Sequence, residues 1–179
     1  MAVSASENKR SHRTTPPVEP QGGGRIPRPL PMPQSLSAVN IHFVFSTKDR
    51  APFITDSIAS ELHGYIGGII RAEKCVPLAV GGTADHVHLL ISIAREISLA
   101  ELMRVIKSGS SKWMHEKGLR DFAWQSGYAA FSVSQSNVGS VRSYIANQAQ
   151  HHRQMSFGEE YLLFLQRHGV EYDERYVWG

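Results

Sequence analysis

Cysteine is nearly absent from this chain. Cys75 stands alone among 179 residues, so no internal disulfide can form and a small cross-linked extracellular scaffold is excluded. Its place between a predicted helix and a predicted strand suits a small buried thiol. Long apolar runs are missing as well. No stretch nears the roughly 18 apolar residues that a membrane span needs, and the Ser-, Pro- and Arg-rich beginning lacks the apolar centre of a secretory signal. Together these absences predict a cytoplasmic protein with no membrane partner. The body of the chain also lacks an excess of one charge. Residues 1–35 hold five basic side chains (Lys9, Arg10, Arg13, Arg25, Arg28) against two acidic ones (Glu7, Glu19), which accounts for the whole net charge of +3 and leaves fourteen of each sign elsewhere. The basic balance therefore belongs to the tail and is weak evidence that the folded part binds nucleic acid.

What is present divides at about residue 35. "TTPPVEPQGGG" and "IPRPLPMP" show neither a period of 2 nor one of 3.6, and residues 1–35 are expected to be a disordered extension. Residues 36–179, with 41% of the whole sequence hydrophobic, suffice for one domain with a real core. "AVNIHFVFST" alternates, with Ile41, Phe43 and Phe45 on one face and His42, Val44 and Ser46 on the other, which predicts a strand. A helical pattern follows in "ITDSIASELHGYIGGIIRAEK", where Gly64 and Gly68 suit a close approach of helix to sheet. Two short strands, "VPLAVGG" and "HVHLLISI", form a hairpin around a Gly- and Asp-containing turn. A helix over "SLAELMRVIKSGSSKWMHEKG", a strand in "GYAAFSVS", and helices over "NVGSVRSYIANQAQHHR" and "GEEYLLFLQRHG" complete the chain. The order β-α-β-β-α-β with added helices predicts an α+β fold of ferredoxin-like (RRM-like) type: a four-stranded antiparallel sheet with helices on one face.

The chemistry concentrates in "DHVHLL". Side chains two apart on a strand share a face, so His86 and His88 lie side by side while Val87, Leu89 and Ile91 face the core. Such a pair is compatible with satisfied, partly buried histidines or with metal ligation. In the later helix, Val138, Val141, Ile145 and Ala149 define an apolar stripe, and Tyr144 and Gln148 lie one turn apart on its border with His151 beyond. Laid near the open face of the sheet, this tyrosine-bearing helix would bring Tyr144 and Gln148 toward the histidines. A phenol beside an ion held by two imidazoles and an amide oxygen fits nucleophilic attack on a phosphodiester. His42 neighbours the pair, but packing explains it as well as ligation does. Arg104, Lys107, Ser111 and Lys112 share one side of the helix after the hairpin, and suit either phosphate contact or an ordinary solvated face.

The sequence resembles the single-tyrosine HUH transposases of bacterial insertion sequences, including those associated with repeated extragenic palindromes. The resemblance runs from about Met32 to Trp178 and rests on "IHFVFSTKDR", "DHVHLL", "WQSGYAAFSVS", "YIANQ" and "GVEYDERYVWG" in that order. It implies metal ligation by His86, His88 and Gln148, with Tyr144 as the nucleophile that forms a 5′ phosphotyrosine on single-stranded DNA. Mg²⁺ or Mn²⁺ as cofactor, hairpins at element ends as substrate and a homodimer as the working unit are implied too, as is residence on the nucleoid when bound to DNA. Arg104, Lys107, Ser111, Lys112 and His151 are then candidate DNA contacts. Two rivals remain at this point: a non-catalytic single-strand binding module, and a metal hydrolase that uses water.

Overall fold

A computed structural model describes residues 36–151 and 156–173, the side chains of Ala149 and His151 excepted. The extension at 1–35, His152 and Tyr176 lie outside the described residues. Four strands form one antiparallel sheet: β1 (Asn40–Ser46), β2 (Val76–Gly82), β3 (His86–Ser92) and β4 (Ala129–Val133), in the order β2-β3-β1-β4. This is the expected ferredoxin-like order. Pro77 is tolerated because β2 is an edge strand, and the pairing of β2 with β3 slips between Pro77 and Ala79.

Strand alternation decides what each face of the sheet becomes. Phe43, Phe45, Val87, Leu89 and Ile91 pack into one core with Leu62, Ile66 and Ile70 of α1 (Asp56–Ala72) and Leu102, Met103 and Ile106 of α2 (Leu99–Glu116). Each such side chain stabilises the fold by about 1.5–3 kcal/mol when fully buried. Ser98 caps α2 by accepting from the Glu101 amide at 3.1 Å. Gly64 and Gly68 of α1 do not serve a close helix-to-sheet contact, contrary to the sequence reading. A Cβ at either would meet nothing within 4 Å, because the face of α1 that meets the sheet is the one carrying Leu62, Ile66 and Ile70.

The other face of the sheet carries His42, Val44, Ser46, His86 and His88, and it is covered by helices from the end of the chain. α3 (Val138–Ala146) lies against β2 and β3. The predicted single helix through "YIANQAQHH" is broken at Asn147, and a short α4 (Gln148–His151) follows. The break has a local cause: the Asn147 side chain donates to the Ser143 carbonyl at 2.9 Å, and its backbone N–H is shared between Ser143 and Tyr144, so the residue competes with the helix it ends. α5 (Phe157–Arg167) starts at a reciprocal cap between Ser156 and Glu159 and stops at Gly169, whose φ of 63° suits a residue without a Cβ. Its Phe157, Tyr161 and Leu165 form a second core with Val44, Ala129 and Phe131. Among the described residues no helix is long and apolar enough to cross a membrane.

One buried group in α1 makes the stability depend on pH. His63 Nε2 is buried without a hydrogen-bond partner among the described residues, and burial lowers the pKa of this imidazole from 6.5. The unfolded chain therefore binds this proton more readily than the folded one, and the contribution to stability is full above the unfolded value and lost as pH falls below it. His63→Leu should shrink the drop in Tm between about pH 7.5 and about pH 5. Thermal unfolding at the two pH values checks this; an undiminished drop contradicts it.

Candidate active site

β3 turns His86 and His88 to the face shared with α3 and α5, and both are fully buried. Each imidazole is held from behind by its other nitrogen. His86 Nδ1 lies 2.7 Å from Asp85 Oδ1 and 2.8 Å from Thr83 Oγ1, and Thr83 also donates to Asp85 at 2.9 Å. Burial alone would raise the Asp85 pKa, but the hydrogen bond and charge of His86, with Thr83, bring it below the usual value. His88 Nδ1 lies 3.0 Å from Nε2 of His42, itself buried. Burial, with a smaller effect from His168, lowers the His42 pKa to about 4, so this ring is neutral near pH 7.

The forward nitrogens converge on α5. Glu160 Oε2 lies 3.5 Å from His88 Nε2 and 3.9 Å from His86 Nε2, and these three donor atoms fall within 4.8 Å of one another. Glu160 is 2% exposed. Desolvation, then the charge of Asp85, pushes its pKa up to about 8, so ionising it here calls for a cation. Gln148 donates from Nε2 to Glu160 Oε1 at 3.3 Å, while Gln148 Oε1 is buried with no hydrogen bond among the described residues. A divalent ion with ligands at about 2.0–2.2 Å separates neighbouring ligand atoms by about 3.0–3.5 Å, so small inward shifts of these side chains would enclose one. The residues fit such an ion: two imidazoles, a carboxylate, and an amide oxygen in need of a partner.

Tyr144 stands beside this cluster. Its ring centroid is 5.8 Å from that of His88 and 5.8 Å from that of Phe164, nearly perpendicular to both. It lines a cavity of about 300 Å³ together with His42, Val141, Glu160, Phe164 and Arg167. The expected quartet of His86, His88, Tyr144 and Gln148 is thus collected on one side of the sheet of one chain.

The model of the family described as "Transposase IS200 like" matches residues 35–148. The chain belongs to the IS200-like transposase family. No protein of curated function matches it. Among solved structures, this IS200-like transposase is similar to a candidate transposase from Deinococcus radiodurans, at 20% identity and a TM-score of 0.52 over 65% of this chain and 98% of that one. It is likewise similar to a REP-associated tyrosine transposase solved bound to a REP hairpin, at 15% identity and a TM-score of 0.52 over 68% and 72% of the two chains. Both likenesses bear on the fold.

The sequence reading of this IS200-like transposase did not include Glu160. A signal was there: Glu160 sits on the same helical stripe as Phe157, Tyr161 and Leu165, where a carboxylate needs a cationic partner. The basic residues of α2 are placed differently from the quartet. α2 packs on the opposite face of the sheet, Arg104 is held by Glu101 at 2.6 and 2.8 Å, and Lys112 lies 4.0 Å from Glu116. Lys107 donates to the carbonyls of Gln125, Ser126 and Gly127 at 2.6, 3.1 and 2.8 Å, tying down the loop before β4. Ser111 shares a shallow cavity with Arg104 and Lys107 on that face. His151 ends α4, and its side chain is outside the described set.

Proposed function

We propose that the chain cuts and rejoins single-stranded DNA through Tyr144, with a divalent ion held by His86, His88, Gln148 and Glu160. The observation that carries this reading is the Tyr144 ring 5.8 Å from that of His88, at the wall of a cavity of about 300 Å³. The Tyr144 oxygen attacks the scissile phosphorus. A bond from tyrosine to phosphorus forms as the bond to the 3′ oxygen breaks, the phenolic proton is lost, and the leaving 3′ oxygen is protonated. The products are a 5′ phosphotyrosine and a free 3′ hydroxyl, and attack by a 3′ hydroxyl reverses the step without ATP. A bound divalent ion polarises a phosphate oxygen and offsets the charge that builds on it.

Mg²⁺ and Mn²⁺ both suit the oxygen donors Gln148 and Glu160, and the two imidazoles favour Mn²⁺. The relative solved with a REP hairpin supports a DNA hairpin as the substrate class. Arg167, exposed at the cavity and in no ion pair among the described residues, is placed to meet a phosphate of the strand that enters. Contacts from Arg104, Lys107, Ser111 or Lys112 would fall on DNA passing the far face of the sheet. A homodimer is the proposed working unit.

The test is incubation of the full chain with labelled single-stranded hairpins from its own genomic flanks, in Mn²⁺, Mg²⁺ or EDTA, followed by a denaturing gel. A metal-dependent adduct whose linked peptide contains Tyr144 is expected. Cleavage that leaves free 5′ phosphates and no adduct would assign the nucleophile to water instead. Binding with no cleavage on any hairpin would favour a non-catalytic module.

A further inference from the structure

Resting on the ion site just proposed, we infer that His42 of β1 is a positioning residue that selects the metal-binding tautomer of His88. The argument is one of donors and acceptors. His88 Nδ1 and His42 Nε2 are 3.0 Å apart in a buried pair. Two ring nitrogens at that distance need one proton between them, and either ring can supply it. If His42 donates, the proton of neutral His88 sits on Nε2, 3.5 Å from Glu160 Oε2, and the lone pair required for a metal is gone. If His42 accepts, His88 carries its proton on Nδ1 and presents Nε2 as a lone pair toward Glu160. Ligation through His88 Nε2 therefore requires His42 to accept at Nε2 and to hold its own proton at Nδ1.

The two ligands are supported unequally. His86 has a carboxylate behind it, Asp85 at 2.7 Å, an acceptor that pairs with an N–H at Nδ1. Behind His88 Nδ1 stands an imidazole, His42, whose preference is set by what surrounds it. Phe164, with its ring centroid 5.2 Å from that of His42, and Tyr144, at 6.3 Å, hold this ring on edge; β1 pairs with β3 so that Val44 faces His88 across the ladder and His42 lies one step away on the same face. A carboxylate at position 42 would add a further anion near Glu160, beside Asp85. A neutral acceptor orients His88 without adding charge, and the position of His42 supplies one.

The proposal separates two substitutions that packing alone would treat alike. Glutamine at position 42 offers a carbonyl oxygen that can accept from His88 Nδ1; phenylalanine fills the space and accepts nothing. Mn²⁺ affinity of the full chain, followed by electron paramagnetic resonance of the free ion, is expected to fall about 10–100-fold in His42→Phe and to stay within about threefold in His42→Gln. Thermal unfolding without metal confirms that both variants are folded. Nitrogen-15 spectra of the Mg²⁺-loaded protein should show His88 protonated on Nδ1. Wild-type affinity in His42→Phe, equal losses in the two variants, or a proton on His88 Nε2 in the loaded protein would overturn the proposal while leaving the ion site intact. No Mn²⁺ binding by the unaltered chain would overturn the ion site and this inference with it.

Discussion

Tyr144→Phe is expected to abolish the covalent DNA adduct while leaving the fold and the Mn²⁺ affinity close to those of the unaltered chain. The benzene ring keeps its edge contacts with His88, His42 and Phe164. Tyr144 is only half-buried, so removal of one hydroxyl costs no more than about 1.5 kcal/mol. None of the other described tyrosines stands ready to replace it. Tyr161 is 5% exposed within the second core, with its pKa raised by burial. Tyr128 packs on Phe43, and Tyr65 stacks on Trp113 on the far side of the sheet. Tyr172 packs against the second core. Loss of the attacking group in a covalent mechanism lowers the rate on the order of 10⁴-fold or more. Single-turnover cleavage and adduct yield, measured with Mn²⁺ titrations of both proteins, check this. Undiminished cleavage without adduct in Tyr144→Phe would move the chemistry to a water molecule; undiminished adduct would move it to a different side chain.

The parts of this site legible in the sequence are those fixed by periodicity. Alternation in "NIHFVFS" and "HVHLLIS" assigns Phe43, Phe45, Val87 and Leu89 to one face and His42, His86 and His88 to the other, because a one-residue slip would send the entire core into the wrong layer. Tyr144 and Gln148, four apart in sequence, both come to Glu160, although the helix breaks between them at Asn147 through a side-chain hydrogen bond that no period reports. Glu160 was visible as a carboxylate on an apolar stripe. Its partners were not, since they depend on how Phe157, Tyr161 and Leu165 dock on Val44, Ala129 and Phe131 from distant parts of the chain. The same distinction applies on α2. The Arg104 partner, Glu101, is three residues away and follows from helical spacing, whereas the three carbonyls that receive Lys107 belong to a loop whose approach only tertiary structure sets.

That dependence on docking makes Gly81 a sensitive backbone position beneath α3. Gly81 pairs with His88 across the β2–β3 ladder, and α3 crosses directly over it. A Cβ at position 81 would lie 2.8 Å from both Cγ2 and the carbonyl oxygen of Ile145. The side-chain methyl can turn away, but the carbonyl belongs to the helix, so α3 must rise from the sheet to restore an ordinary contact. Ile145 follows Tyr144 in the chain, and the displacement is passed to the nucleophile. Misplacement of a reacting group by about 1 Å can cost 10²-fold, so Gly81→Ala is expected to slow adduct formation by about 10–100-fold and Gly81→Val by more. Mn²⁺ affinity should change less than the rate, because of the four proposed ligands only Gln148 follows α3 in the chain, while His86 and His88 stay on β3 and Glu160 on α5. Gly68→Ala supplies the contrast: a Cβ there meets nothing within 4 Å, so the substitution should leave the rate alone and raise stability by up to about 1 kcal/mol, as expected for alanine in place of glycine within a helix. Single-turnover rates and metal titrations of the three variants test the argument together. A rate for Gly81→Ala within about twofold of the unaltered chain would mean that α3 relaxes without carrying Tyr144, and that the close approach over Gly81 serves packing rather than placement of the nucleophile.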